Sequence, residues 1–314
     1  MQKISKILVP FDFSENSRQA LQMGIALGLK YDSSLMILSV IERTPEDEIS
    51  KLMTLPNNVE KKLKEKIIAE IHSSVSKENL AKINIQAFVQ KGKAGVEILL
   101  MAEQEKVDLV VMGTHGRTGL KHMLMGSVAE KVVHRAGAPV LIHRQEASPL
   151  PRKILIPVDF SEYCRDAVKV GLHWANDFGA EPYFLHVVDL RDLYTFDLLS
   201  IKADRPSIET ALKKQAEERL TEWTHAIKPA HHLEIRLGDP SLEIQGAIKD
   251  HSIDLVVMAT HGRTGLKHML LGSVAEKTVR HSPCSVLTLR SPVFVTKIFE
   301  GEEALEGYMK SFRD

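Results

Sequence analysis

The chain has few of the residues that staple, anchor or steer a protein. Its 314 residues hold two cysteines, Cys164 and Cys284, with no CxxC pair between them. That excludes a disulfide framework and a cysteine-rich zinc site. Both fit small buried apolar residues in a reducing compartment. No unbroken apolar run approaches the roughly 20 residues that span a bilayer, so no membrane partner is expected. The opening MQKISKILVPFDF reaches Asp12 after a short apolar run and lacks a signal-peptide cleavage pattern. A charge excess is missing too: 41 Lys plus Arg cancel 41 Asp plus Glu. No global field recruits nucleic acid or anionic lipid, and any anion site must be local. These absences describe a cytoplasmic protein. What remains is 44% apolar and 26% charged, an ordinary globular composition in a chain long enough for two domains.

Self-similarity organises the chain. KILVPFDFSE at 6–15 returns as KILIPVDFSE at 153–162, the segment 114–124 returns unchanged at 260–270, and GSVAEK at 126–131 returns at 272–277. The near-constant offset marks the duplication of a whole domain. The QEASPLP segment at 145–151 reads as the linker. The expected domains are 1–146 and 152–291, followed by a tail at 292–314 without a counterpart in the first half. Within the tail, 293–299 reads as a strand and 302–312 as an amphipathic helix.

The first half alternates apolar runs (ILVPF, SLMILSVI, INIQAFV, VDLVVMG, APVLIH) with helical patterns near 14–30, 58–77, 94–105 and 127–136. ILIPV, EPYFLHVV, HLEIRL, IDLVVMA and CSVLTL repeat that order in the second half. Such alternation predicts two tandem α/β domains, each a doubly wound, Rossmann-like parallel sheet with helices on both sides. Ligands of such sheets bind at the carboxyl ends of the strands, where the strand order reverses.

One loop stands at that edge in each half. A strand ends at Gly113, the polar and basic stretch THGRTGLKHM follows, and a helix begins near Ser127. Gly113, Gly116 and Gly126 let the backbone approach a ligand. Unpaired N–H groups at the helix start favour an anion, and Arg117 and Lys121 add positive charge. Without a GxxxxGK[ST] arrangement, Walker-type hydrolysis is not supported. Ser127-Val-Ala-Glu130 and Ser273-Val-Ala-Glu276 also match a capping box, so each serine reads either as a helix cap or as a phosphate ligand. Asp12 and Asp159 follow the first strands. Each reads either as an acceptor for an adenine amine or ribose hydroxyl, or as support for the next helix through Ser14 or Ser161. His115, His122, His261 and His268 have no carboxylate or cysteine at a ligand spacing, so no metal site is expected.

At this loop the sequence resembles the universal stress protein family. The family pattern is Gly, two residues, Gly, nine residues, Gly-Ser or Gly-Thr, met here by Gly113, Gly116, Gly126 and Ser127. KILVPFDFSE and APVLIHR also match, and the resemblance runs from about residue 3 to 290. It implies five-stranded domains of the adenine nucleotide alpha hydrolase-like type that bind ATP or a related adenine nucleotide, with or without a divalent cation. It further implies contacts to the adenosine end at Asp12 and Asp159, and to the adenine region at Val40 and Val187. Ribose and phosphate contacts would fall on Gly113, Gly116, Gly126, Ser127 and Val128, and on Gly262, Gly272, Ser273 and Val274. The two halves would pair through their last strands as an internal pseudo-dimer, with a homodimer as a further assembly. Ala259 departs from the pattern where Gly113 stands. If that position needs left-handed φ, its Cβ costs roughly 1–2 kcal/mol; if φ is negative, only room for a methyl is at issue. Three functions follow: a nucleotide-binding stress or regulatory protein with no catalytic residue, a slow ATP hydrolase using His115 or Asp12, or a scaffold with silent sites.

Overall fold

Ile7, Leu8 and Val9 lie fully out of solvent, as do Leu109, Val110 and Val111. Runs of this kind bury both faces of a strand, which only a central position in a covered parallel sheet provides. The computed structural model describes residues 4–42, 59–114, 125–144, 150–189, 205–225, 227, 231–260 and 271–289. The segments expected as strand and helix in the tail lie outside them. The chain divides into two units, one over 2–150 and the other beginning at Pro151.

In the first unit the order is β1 (Lys6–Pro10), α1 (Glu15–Tyr31), β2 (Ser34–Ile41), α2 (Val59–Ser74), α3 (Lys77–Leu80), β3 (Ile85–Lys91), α4 (Ala94–Gln104), β4 (Leu109–Gly113), α5 (Ser127–Arg135) and β5 (Val140–His143). Its strands lie in the order β3-β2-β1-β4-β5, all parallel. The helix expected over 58–77 stops at Ser74, because Ser76 accepts a bond from Asn79 N and caps the separate turn α3. The second unit has β6 (Lys153–Pro157), α6 (Glu162–Phe178), β7 (Glu181–Asp189), α7 (Arg205–Thr224), β8 (His232–Gly238), α8 (Pro240–His251), β9 (Leu255–Ala259), α9 (Ser273–His281) and β10 (Ser285–Leu289). Its order, β8-β7-β6-β9-β10, is the same path repeated. Both are doubly wound α/β folds.

The path reverses beside the first strand of each unit. From β1 the chain moves outward to β2 and β3, then returns to β4 on the other side; Ile7 pairs with Leu109 and Leu8 with Val110. The crevice at the carboxyl ends of β1 and β4 is therefore the switch point, and β6 and β9 make the equivalent one. At the opposite edge, the Asp108 carboxylate accepts the Ser5 and Lys6 N–H groups at 2.9 and 3.0 Å, fixing the start of β1. Asp254 does the same for Arg152 and Lys153.

Candidate functional site

The turn from β1 into α1 is built around Asp12. Ser14 donates to Asp12 Oδ1 from its N–H at 3.0 Å and from its hydroxyl at 2.6 Å. Held this way, Ser14 Oγ accepts from Ser17 N at 3.2 Å and caps the helix. Asp159, Ser161 and Cys164 repeat the arrangement at 3.0, 2.7 and 3.1 Å. The helix-supporting reading of both aspartates is thus met in the structure. Between them Phe13 and Phe160 take left-handed φ of 66° and 62°, a conformation costing a non-glycine residue roughly 1–2 kcal/mol. Two copies of one strained residue, each at the mouth of a switch-point crevice, mark this turn as more than a connector. The sequence holds the signal only indirectly, in the repeated DFS.

The two phenylalanines have different neighbours. Phe13 meets Phe11 edge-on at 4.8 Å, with the Lys66 ammonium 4.9 Å from its ring. Phe160 lies 4.5 Å from His186 and 5.1 Å from Trp223, with the Arg219 guanidinium 4.2 Å over it. His186 is buried, and its Nδ1 donates to Val158 O at 2.6 Å. Sequence reasoning passed over this histidine, since the aligned residue in β2 is Ser39. The neighbouring Val187 and its counterpart Val40 are half-buried. Val40 lies two residues past Leu38, the last partner of β1, and Val187 two past Leu185, the last partner of β6. Both therefore stand at the carboxyl edge.

Across the crevice, Gly113 ends β4 against the start of α1. A Cβ there would lie 2.6 Å from Asn16 O and 2.7 Å from Asn16 Cβ. Among the described glycines only Gly92, Gly179 and Gly238 have positive φ. Gly113 is therefore glycine for space, and the strain reading of Ala259 falls away. The residue aligned with Asn16 in the second unit is Tyr163; Ala259 itself does not have positive φ.

The next residue closes the loop. Thr114 O accepts from Gly126 N at 2.7 Å, and Thr260 O accepts from Gly272 N at 2.7 Å. Both threonines are buried, so each loop leaves and rejoins the domain through one fixed clasp. Neither threonine was singled out from sequence, although both begin the unchanged repeat. Residues 115–124 and 261–270, with Gly116, Gly262, Arg117, Lys121 and the four loop histidines, lie outside the described residues.

The capping-box expectation for Ser127 and Ser273 is corrected. The N-cap residues are Gly126 (φ −76°, ψ 150°) and Gly272 (φ −69°, ψ 144°), and among the described residues neither cap makes a side-chain cap bond. The clasp sets the entry one residue early, so each serine is already inside the first turn, where its hydroxyl is no longer placed to cap. Helices α1, α6 and α8 are capped by Ser14, Ser161 and Asp239. The loop helices instead present first-turn N–H groups beside exposed Ser127 and Ser273, with Val128 and Val274 half-buried. Such an end favours an anion through its dipole and unpaired donors.

Helix α4 or α8 packs beside each of these starts. In α4 the N-cap residue is Lys93, which makes no side-chain cap bond. In α8 it is Asp239, which accepts from Ser241 N, Ser241 Oγ and Leu242 N at 2.9, 2.6 and 3.2 Å. The Ser241 hydroxyl bond first, then the backbone donors and Lys277, hold the Asp239 carboxyl below its usual range.

Known proteins resemble this chain in sequence and in fold. The Universal stress protein family model matches residues 3–144 and again 151–290. Universal stress protein MJ0531 of Methanocaldococcus jannaschii is 35% identical over 151 residues, covering 46% of this chain and 84% of that protein. Universal stress protein MJ0577 of the same organism is 32% identical over 161 residues, covering 46% of this chain and 96% of its own length. A solved universal stress protein from Archaeoglobus fulgidus aligns with TM-score 0.65 over 92% of this chain and 97% of its own; at 22% identity it speaks for the fold alone. Among the described residues no helix is long and apolar enough to cross a membrane. Two matches to one family model, laid over two copies of one fold, make this chain a tandem two-domain member of the universal stress protein family.

Proposed function

We propose that each repeat binds an adenine nucleotide, ATP foremost, and that the chain serves as a nucleotide-responsive regulator in a stress response. The observation carrying this reading is the repeated glycine exit: a loop clasped at its base, and a helix start whose N-cap is Gly126 or Gly272, neither of which makes a side-chain cap bond. Phosphate oxygens would take the N–H groups of Ser127 and Val128, or of Ser273 and Val274, together with the serine hydroxyls. Gly113 would keep the crevice wall low in the first repeat, and Gly116 and Gly262 would let the loop backbone approach. Asp12 with Val40, and Asp159 with Val187, would face the adenosine end. In this reading the domains run 1–146 and 152–291, the tail at 292–314 is separate, and the protein works in the cytoplasm. A divalent cation would accompany the phosphates by neutralising their charge.

Binding rather than turnover is the proposed activity, because a nucleotide that comes and goes at the helix start gives a partner protein two states to read. The test is mass spectrometry of small molecules released from freshly purified protein, followed by calorimetric titration of nucleotide-free protein with ATP. The expected result is an adenine nucleotide in the extract and two equivalents bound per chain. An extract without adenine nucleotide, together with no heat on titration, would overturn the reading and leave a scaffold with silent sites.

A further inference from the structure

The two repeats share nearly every charged residue of the proposed site and differ at one corner beside it. The loops 114–124 and 260–270 are identical, and so are the helix starts that follow. The segments after β2 and β7, 43–58 and 190–204, each carry two basic and three acidic residues, a net −1 in both cases. The corner preceding α4 and α8 is different. Lys93 occupies it in the first repeat and Asp239 in the second.

This corner touches the anion-facing helix. A Cβ on Gly95, in the first turn of α4, would come within 2.9 Å of Lys131 Cδ on α5. In the second repeat Lys277 Nζ, on α9, lies 4.0 Å from Asp239 Oδ2. Lys131 and Lys277 are each four residues past the loop serine, about 6 Å along the helix axis. That is inside the screening length of about 8 Å at physiological salt. Among the described residues neither Lys93 nor Lys131 forms an ion pair. The Glu42 carboxylate at the same corner accepts from Ala94 N at 3.2 Å, and Asp189 stands in its place in the second repeat. Those two carboxylates cancel, and the first corner keeps Lys93 where the second has Asp239. In the second, Asp239 cancels Lys277. Other charges nearby are spent locally: Lys91 pairs with Glu60 at 2.7 Å, and Arg236 with Glu234 and Asp250 at 2.7 Å each. Glu97 and Glu243 stand at the same position in both repeats and cancel in the comparison.

Resting on the nucleotide-binding reading above, we infer that the two sites select ligands by phosphate charge. The first favours adenine nucleotides with a polyphosphate chain over the monophosphate. The second distinguishes the two poorly and so responds to the adenosine part more than to the phosphates. A two-unit change in protein charge, acting across a screened distance on about two extra ligand charges, separates the ATP-to-AMP preference of the sites by about fivefold. A tandem chain built this way reports both the total adenine nucleotide pool and its degree of phosphorylation.

The test uses the full chain, stripped of nucleotide, in EDTA so that ATP and AMP differ in charge. Each is titrated calorimetrically into wild type, Lys93→Gln and Asp239→Asn. The Asp239→Asn change keeps a side-chain oxygen for the α8 cap, and Lys93→Gln removes no cap bond, so thermal melting of both variants should match wild type at neutral pH to within about 1 kcal/mol. Two binding steps with different ATP-to-AMP ratios are expected. Lys93→Gln should weaken ATP about twofold at the selective step, and Asp239→Asn should strengthen ATP about twofold at the other, with AMP nearly unmoved in both. Binding with the same ratio at both steps, or variants that leave both ratios unchanged, would overturn the inference while leaving nucleotide binding standing. Absence of any binding by wild type, both in EDTA and with magnesium in its place, would overturn the nucleotide reading and this inference together.

Discussion

At Gly113 the constraint is another backbone rather than the residue's own torsion. Asn16 O stands where a Cβ would be 2.6 Å away, and a carbonyl in the first turn of a helix cannot swing aside as a side-chain end can. Gly113→Ala should therefore push α1 off β4 and cost about 1–3 kcal/mol in urea unfolding, while Ala259→Gly should change stability by no more than about 1 kcal/mol. An unchanged urea midpoint for Gly113→Ala would contradict the close approach. Asp239 supports a prediction of opposite character. Its folded carboxyl titrates below the usual range, chiefly through the Ser241 hydroxyl bond. A depressed carboxylate contributes stability above its unfolded value, and that contribution is lost as pH falls through the folded value. Whatever small melting-temperature gap separates wild type from Asp239→Asn should therefore narrow between about pH 6 and about pH 3. A gap that widens on acidification would reverse the assignment.

At the scale of elements, helix beginnings separate structural serines from those available to a ligand. Ser14 and Ser161 are caps held by a carboxylate, and replacing either with Ala should cost about 1 kcal/mol of stability. Ser127 sits past the cap, so Ser127→Ala should melt like wild type in nucleotide-free protein yet bind ATP more weakly. Equal destabilisation by Ser14→Ala and Ser127→Ala would restore the capping box. This difference was not legible in the sequence, where S-x-x-E has the same spacing whether it starts at the cap or one residue later. The bond from Gly126 N to Thr114 O decides it, and that bond joins residues twelve apart through a fold not yet known. The strands were legible, because ILVPF and VDLVVMG have no polar face and must be covered on both sides. Left-handed Phe13 was not, since aromatic residues ordinarily avoid that region and the turn is closed around it by the Asp12–Ser14 bonds.

For the whole molecule, the duplication was the strongest signal in the sequence, and it carries a consequence for stability. Leu8, Val110 and Leu141 in one unit, and Leu155, Val256 and Leu287 in the other, belong to separately buried cores. A ligand bound in one unit stabilises first the unit that holds it. Nucleotide at 100 times its dissociation constant adds about 2.7 kcal/mol to the folded state it occupies, worth about 5–11 °C in melting temperature for domains of this size. Scanning calorimetry of the full chain should show ATP raising the melting of both units, with Ser127→Ala removing most of the gain from the first and leaving the second in place. If Ser127→Ala abolishes the gain in both, the units respond as one cooperative body. If ATP moves neither transition although calorimetry detects binding, the ligand is held by a surface that survives in the unfolded chain, and the clasped glycine loops are not its site.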